Sequence, residues 1–202
     1  MDIVLATTNS GKVKEIKAIL SDLNINITSL LDYNSIPDVI EDGKTFTENA
    51  LIKAKTIYEL LKKPVIADDS GLLIEALNGE PGVHSARYGS VDGEKPSSET
   101  LIQRVLAKMV SLPIEERKAS FKAVIVLYID ENNHLISEGE CHGEIALKSE
   151  GVGGFGYDPI FYLPQFGKTM AQISSDEKNS ISHRGIALKK LKEKLKSFIT
   201  EK

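Results

Sequence analysis

The feature that most constrains this chain is the way its apolar residues change period along the sequence. "DIVLA" near the start is a short apolar run of strand type, and Val13, Ile16, Ile19, Leu20 and Leu23 then recur on one helical face. The alternation continues: a strand over 2–7, a helix over about 11–23, a strand near 25–31, a helix in "TFTENALIKAKTIYELL", and a buried strand in "PVIADDSG". Later, "SFKAVIVLYIDENNHLISEGECHGEIAL" reads as two strands about an "ENN" turn. Strands separated by helices early and a hairpin later predict an α/β fold with a mixed sheet.

The second helix carries its own start signal. Thr45 and Glu48 have capping-box spacing, and Phe46, Ala50, Leu51, Ala54, Ile57, Tyr58 and Leu61 share an apolar face. A helix is expected near 98–110, a strand in "DPIFYLP", and a closing helix in "SHRGIALKKLKEKLKSFI" with Ile186, Leu188, Leu191, Leu195 and Phe198 toward the core. "ALNGEPGVHSARYGSVDGEKPSS" is a Gly- and Pro-rich loop of a length that compact domains usually keep for function or mobility.

At 202 residues, without repeats or a low-complexity linker, residues 1–202 are expected to form a single domain. The net charge of −4 argues against a nucleic-acid partner, since such binding leans on a basic face that neutralises phosphates. A local basic pocket remains open. Cys141 is the only cysteine, which excludes an intrachain disulfide and a cysteine-cluster zinc site. "MDIVLATTNS" is not a signal peptide, and no apolar run is long enough to span a bilayer, so a cytoplasmic protein with no membrane partner is expected.

Four stretches carry chemistry. "TTNSGK" follows the first strand like a phosphate loop, but Ala6 and Val13 replace the glycine and the hydroxyl that a Walker loop requires. What remains is a helix N-terminus offering N–H groups to an anion beside Lys12, with an ordinary cap and a solvated lysine as the competing reading. "ADDSG" places Asp68 and Asp69 at the end of an apolar strand, where their side chains point to opposite faces and therefore do different jobs. Hard carboxylates suit Mg²⁺, and Glu41 or Asp42 in "IEDGK" could add a second ligand.

"EGVGGFGYDP" contains Gly151, Gly153 and Gly156 at dinucleotide-fingerprint spacing, but no helix follows. It reads instead as a glycine-permitted loop that sets Phe155 or Tyr157 to stack on a base. "SSDEKNSISHRG" packs Lys178, His183 and Arg184 around a helix start; cations there oppose the helix dipole, which an anion or a base carbonyl would offset, with a solvated cap on Ser182 as the competing reading. His84, His134, Cys141 and His142 have no ligand spacing and read as structural.

In this order, "TTNSGK", "EDG" with "ADDSGL", "GGFGYDPIF" and "SHRG" closely resemble the inosine/xanthosine triphosphate pyrophosphatase family, from residue 3 to about 195. The resemblance implies an elongated mixed sheet flanked by helices, two lobes with a central cleft, and a homodimer. It also implies a Mg²⁺-dependent hydrolase that converts the triphosphates of inosine, deoxyinosine and xanthosine to monophosphate and pyrophosphate. Thr7, Thr8, Asn9, Ser10, Gly11 and Lys12 match its triphosphate loop, Asp69 its catalytic carboxylate and metal ligand, and Glu41 a second metal ligand. Ser70 matches a substrate contact, Phe155, Gly156, Tyr157 and Asp158 the base loop, and Lys178, His183 and Arg184 the last substrate cluster. A nucleotide sensor without turnover and a pyrophosphatase for modified pyrimidine triphosphates are the alternatives, separated by product analysis over a panel of triphosphates.

Overall fold

The computed structural model describes residues 1–91 and 96–200. β1 (Asp2–Leu5) leads into α1 (Ser10–Ile19), where the apolar period changes. Asn9 caps that helix: its Oδ1 accepts from Gly11 N at 2.9 Å and Lys12 N at 3.1 Å. β2 (Asn26–Ser29) then lies parallel to β1. α2 (Phe46–Leu61) starts where expected, with its capping box offset by one residue. Thr45 Oγ1 accepts from Glu48 N at 3.1 Å, whereas Glu48 Oε2 accepts from Lys44 N at 2.6 Å. Lys62, at φ 52°, ends the helix ahead of Pro64.

β3 (Val65–Ile74) pairs in parallel with β1 through Val4–Val65 and Leu5–Ile66. The sequence reading stops this strand at its acids, but the backbone stays extended to Ile74. Leu72 and Ile74 are fully buried, so the apolar alternation resumes beyond Gly71 and holds the strand together. Asp68 and Asp69 therefore lie in mid-strand, just past the point where β1 has ended at Leu5.

Much of the long loop is built rather than slack. It makes tight turns over Glu75–Leu77 and Gly82–Arg87, where Ser85 Oγ accepts from Leu72 N at 2.9 Å and donates to Gly82 O at 2.6 Å. The segment 92–95 of that loop lies outside the described residues. α3 (Ser98–Lys108) follows, then the hairpin strands β4 (Lys118–Asp130) and β5 (Asn133–Ile145). β6 (Phe161–Leu163) and β7 (Lys168–Thr169) add antiparallel partners. The chain finishes with α4 (Ser175–Ile181), which the sequence reading missed, and α5 (His183–Thr200). The sheet order is β2-β1-β3-β4-β5-β6-β7, with parallel and antiparallel neighbours, so the α/β fold with a mixed sheet is the one observed.

The chain divides into two compact units. The first takes Met1–Asp69, Ala123–Gly139 and the chain from His183, with a core of Ile3, Leu5, Ile16, Ile66, Ile125 and Leu191 among others. The second takes Ser70–Lys122 and Glu140–Ser182, with a core around Leu72, Ile102, Met109, Phe121 and Phe161. In the second unit Arg117 is buried and held by carbonyl oxygens: Nε donates to Ile145 O and Nη1 to Met109 O, both at 2.7 Å, and Nη2 donates to Ala146 O at 3.1 Å. Those dipoles carry the desolvation of the guanidinium and tie the end of α3 to β5. Among the described residues, no helix is long and apolar enough to cross a membrane.

Candidate active site

Successive side chains of a strand face opposite ways, and β3 uses this to separate its two acids. Asp68 turns toward α1 and α5. Its Oδ2 lies 2.9 Å from Lys12 Nζ and 3.2 Å from Arg184 Nε, and Arg184 Nη1 lies 2.5 Å from Glu15 Oε2 on α1. Lys12, Asp68, Arg184 and Glu15 thus form an ion chain of alternating sign, and only 2% of the Asp68 and Arg184 side chains is exposed. Burial alone would push the Asp68 carboxyl up, but Lys12, Arg184 and Lys53 hold it well below the usual carboxylate range. Burial also pulls the Lys12 ammonium below its ordinary value, against the pull of Asp68.

Asp69 turns toward α2. Asn49 Nδ2 donates to its Oδ2 at 3.1 Å, and Asn49 Oδ1 accepts from Gly43 N at 2.8 Å. One buried amide therefore joins "EDG" to "ADDSG". Four residues on, Lys53 Nζ lies 3.1 Å from Glu41 Oε1 and donates to Asp68 O at 3.1 Å. Burial, with Glu41 adding, raises the Asp69 carboxyl above its ordinary value, while Lys53 and Asn49 oppose the rise. Glu41 is half-buried and Asp42 is exposed.

Two of the stretches singled out in the sequence carry internal structure of their own. At the start of α1 the Asn9 amide accepts from Gly11 N and Lys12 N, and Thr7 Oγ1 accepts from Asn9 N at 3.1 Å. A phosphate that used them would take the place of the Asn9 oxygen. Thr8, Asn9 and Ser10 are exposed at that turn. Lys178, His183 and Arg184 fall on two helices. Ser182, extended at φ −67° and ψ 153°, separates α4 from α5, so Lys178 belongs to the second unit and His183 and Arg184 to the first. At the start of α5, the charge of Arg184 is offset by Asp68 and Glu15.

The second unit holds its own assembly. Asp158 Oδ2 accepts from Lys178 Nζ and from Phe155 N, both at 2.7 Å, and Lys178 Nζ sits 4.6 Å from the centre of the Phe155 ring. Gly154 makes this possible: at φ +73°, a Cβ on it would lie 2.0 Å from Asp158 Oδ2. Gly156 also has a positive φ, 63°. Of the two aromatics expected to meet a base, Tyr157 is built into the core, with 4% exposure and its hydroxyl donating to Ser85 O at 2.8 Å. Phe155 is half-buried and keeps accessible surface. Ser70 continues β3 as the first residue of this unit.

Asn49 and Lys53 escaped the sequence reading, although a signal was there. They stand at helical spacing within the stripe of Phe46, Ala50, Ala54 and Ile57, and polar groups on a core-facing stripe need a buried partner. Glu15 gave no such signal, since one acid three residues after Lys12 is ordinary on a helix surface. Among the described residues, no three His, Cys, Asp or Glu side chains cluster to hold a metal on their own. The four residues read as structural make no such site: His134 stacks on Tyr128, and burial pushes the Cys141 thiol up to about 11.

Fold and site together define a mixed-sheet α/β protein in which two adjacent buried aspartates face separate sets of polar partners. The chain belongs to the Ham1 family, whose model matches residues 3–194. It is 46% identical over 198 residues to the dITP/XTP pyrophosphatase of Geobacillus kaustophilus, covering 98% of this chain and 96% of that one. It is 47% identical over 188 residues to the dITP/XTP pyrophosphatase of Halalkalibacterium halodurans, covering 93% and 95%. Among solved structures it is similar to a HAM1 protein from Coxiella burnetii, with a TM-score of 0.87, 44% identity and coverage of 98% and 99%.

Proposed function

We propose that the protein is a nucleoside triphosphate pyrophosphohydrolase that removes deaminated purine nucleotides, taking dITP, ITP and XTP to the monophosphate and pyrophosphate. The observation that carries the reading is Asp69, a buried carboxylate raised by its surroundings, standing next in sequence to the carboxylate that gathers Lys12 and Arg184. The names of the relatives point the same way, since both of those reported above are dITP/XTP pyrophosphatases.

In this reading Lys12 meets the phosphates, and Asp69 orients the attacking water and takes its proton. The new bond joins that water oxygen to the α-phosphorus, and the bond to the bridging oxygen of the β-phosphate breaks, releasing pyrophosphate. Phe155 and Lys178 receive the base. Hypoxanthine and xanthine present a carbonyl at position 6 where adenine presents an amino group, so a donor such as Lys178 favours them; guanine is rejected at its 2-amino group.

Charge supports a divalent cation. Among the contacts described for the first unit, the formal charges of Glu15, Glu41, Asp68 and Asp69 outnumber those of Lys12, Lys53 and Arg184 by one. Asp69 and Glu41, hard oxygen donors close enough to influence each other, suit Mg²⁺, which needs only one or two carboxylates beside water and phosphate oxygens. Bound there, Mg²⁺ would supply Lewis-acid polarisation of the phosphates. A homodimer working in the cytoplasm completes the proposal.

The test is pyrophosphate release from dITP, ITP, XTP, ATP and GTP, with Mg²⁺ and with EDTA. Strong preference for the first three, abolished by EDTA, is expected. Binding without release would favour a sensor, equal rates on ATP would overturn the substrate class, and activity in EDTA would remove the metal.

A further inference from the structure

We infer that Glu15 is a positioning residue of this site: together with Asp68 it holds the Arg184 guanidinium from two sides, and through Asp68 it holds the Lys12 ammonium. The inference rests on the triphosphate reading above. It starts from connectivity within the first unit. Lys12 and Glu15 are three residues apart on α1 and so share a face of that helix. Lys12 reaches Asp68 on β3 at 2.9 Å, Asp68 reaches Arg184 on α5 at 3.2 Å, and Arg184 returns to Glu15 at 2.5 Å. The ion chain therefore closes on the helix from which it began.

A closed ring constrains more than the same contacts would in a row. Arg184 donates through Nε to one carboxylate and through Nη1 to the other, which fixes the plane of a guanidinium whose geometry is itself rigid. Arg184 Nε and Lys12 Nζ already share Asp68 Oδ2, so without Glu15 the released guanidinium could close further on that oxygen and loosen Lys12. Loss of Glu15 thus reaches Lys12 without touching it. Glu15 lies in none of the four motif stretches. Its side chain is 14% exposed, and the buried Arg184 keeps the Asp68 carboxylate as a partner when Glu15 is altered.

The competing role predicts the opposite sign. As a bare negative charge, Glu15 would repel a triphosphate, and removing it would tighten binding. As a positioning residue, its loss weakens binding, and so does Glu15→Asp, which keeps the charge and shortens the reach. The experiment compares wild type, Glu15→Gln and Glu15→Asp in kcat and KM for dITP with Mg²⁺, in dITP affinity by calorimetry without divalent ion, and in thermal melting. Expected for both variants is a KM raised about tenfold with kcat within about threefold, weaker calorimetric affinity, and melting within a few degrees of wild type. Unchanged or lowered KM and affinity in both variants would overturn the role; should Glu15→Gln fail to fold, Glu15→Asp decides alone. A wild type that binds dITP without hydrolysing it would sink the pyrophosphatase reading, and calorimetric affinity would then decide Glu15.

Discussion

Asn49 and Asp69, twenty residues apart, are joined by a buried hydrogen bond of 3.1 Å, and the other end of the Asn49 amide holds Gly43 at 2.8 Å. A single side chain thus fixes the orientation of the candidate catalytic carboxylate and the position of the loop that carries Glu41. Gly43 is needed for the approach, since a Cβ there would stand 2.7 Å from Asn49 Oδ1.

Asn49→Ala should therefore cost more activity than stability. The Gly43 N–H loses its acceptor and Asp69 its donor, a loss of about 1 to 3 kcal/mol in folding. Turnover should fall at least tenfold, because Asp69 is no longer held. Urea unfolding beside pyrophosphate release checks this, and a destabilised variant with wild-type turnover would reduce Asn49 to a structural role.

Asp68 and Asp69 should respond in opposite ways to the same substitution. The Asp68 carboxyl is held below its unfolded value, so its charge stabilises the fold at neutral pH, and that contribution is lost as pH falls through the depressed folded value. Asp68→Asn removes the hub of a buried ion chain and should cost about 3 to 5 kcal/mol. Asp69 is raised instead, so its charge opposes folding at neutral pH and Asp69→Asn should melt no lower than wild type while losing nearly all turnover. Melting curves at pH 7 with parallel assays decide it; a stable Asp68→Asn or an active Asp69→Asn would each refute the corresponding assignment.

Gly154→Ala tests the second unit. The added methyl would lie 2.0 Å from Asp158 Oδ2 in a left-handed residue, a conformation that costs a side chain about 1 to 2 kcal/mol before any clash. The Asp158 carboxylate must move off Phe155 N and Lys178. KM for dITP should rise severalfold, and discrimination against ATP should narrow; unchanged discrimination would detach this loop from base choice.

Cys141 should be inert in the native protein. With its thiol pushed up to about 11 by burial, about one part in a thousand is thiolate at pH 8, against roughly a quarter for an ordinary cysteine. Reaction with a disulfide reagent should be slow when folded and fast in urea. Equal rates would show that the thiol is accessible.

The order of strands and helices was legible because it depends on period, and period is local: β1, α1, β2, α2, α3 and the hairpin all fall within a few residues of where the apolar spacing puts them. The turn chemistry that ends or starts them was equally local, as Thr45 shows. The chemical residues were legible as stretches, and the division of labour between Asp68 and Asp69 followed from strand alternation alone. Which aspartate meets the cations and which meets α2 was decided by the faces on which α1, α5 and α2 pack. So was the recruitment of Asn49, Lys53 and Glu15, whose partners are brought against them from distant segments. Lys178 and Arg184 make the point most directly. They are six residues apart in the chain, yet they serve different units, because one extended residue, Ser182, breaks the helix between them. Sequence spacing measures distance along a helix only while the helix continues, and whether it continues is settled by what each half can bury.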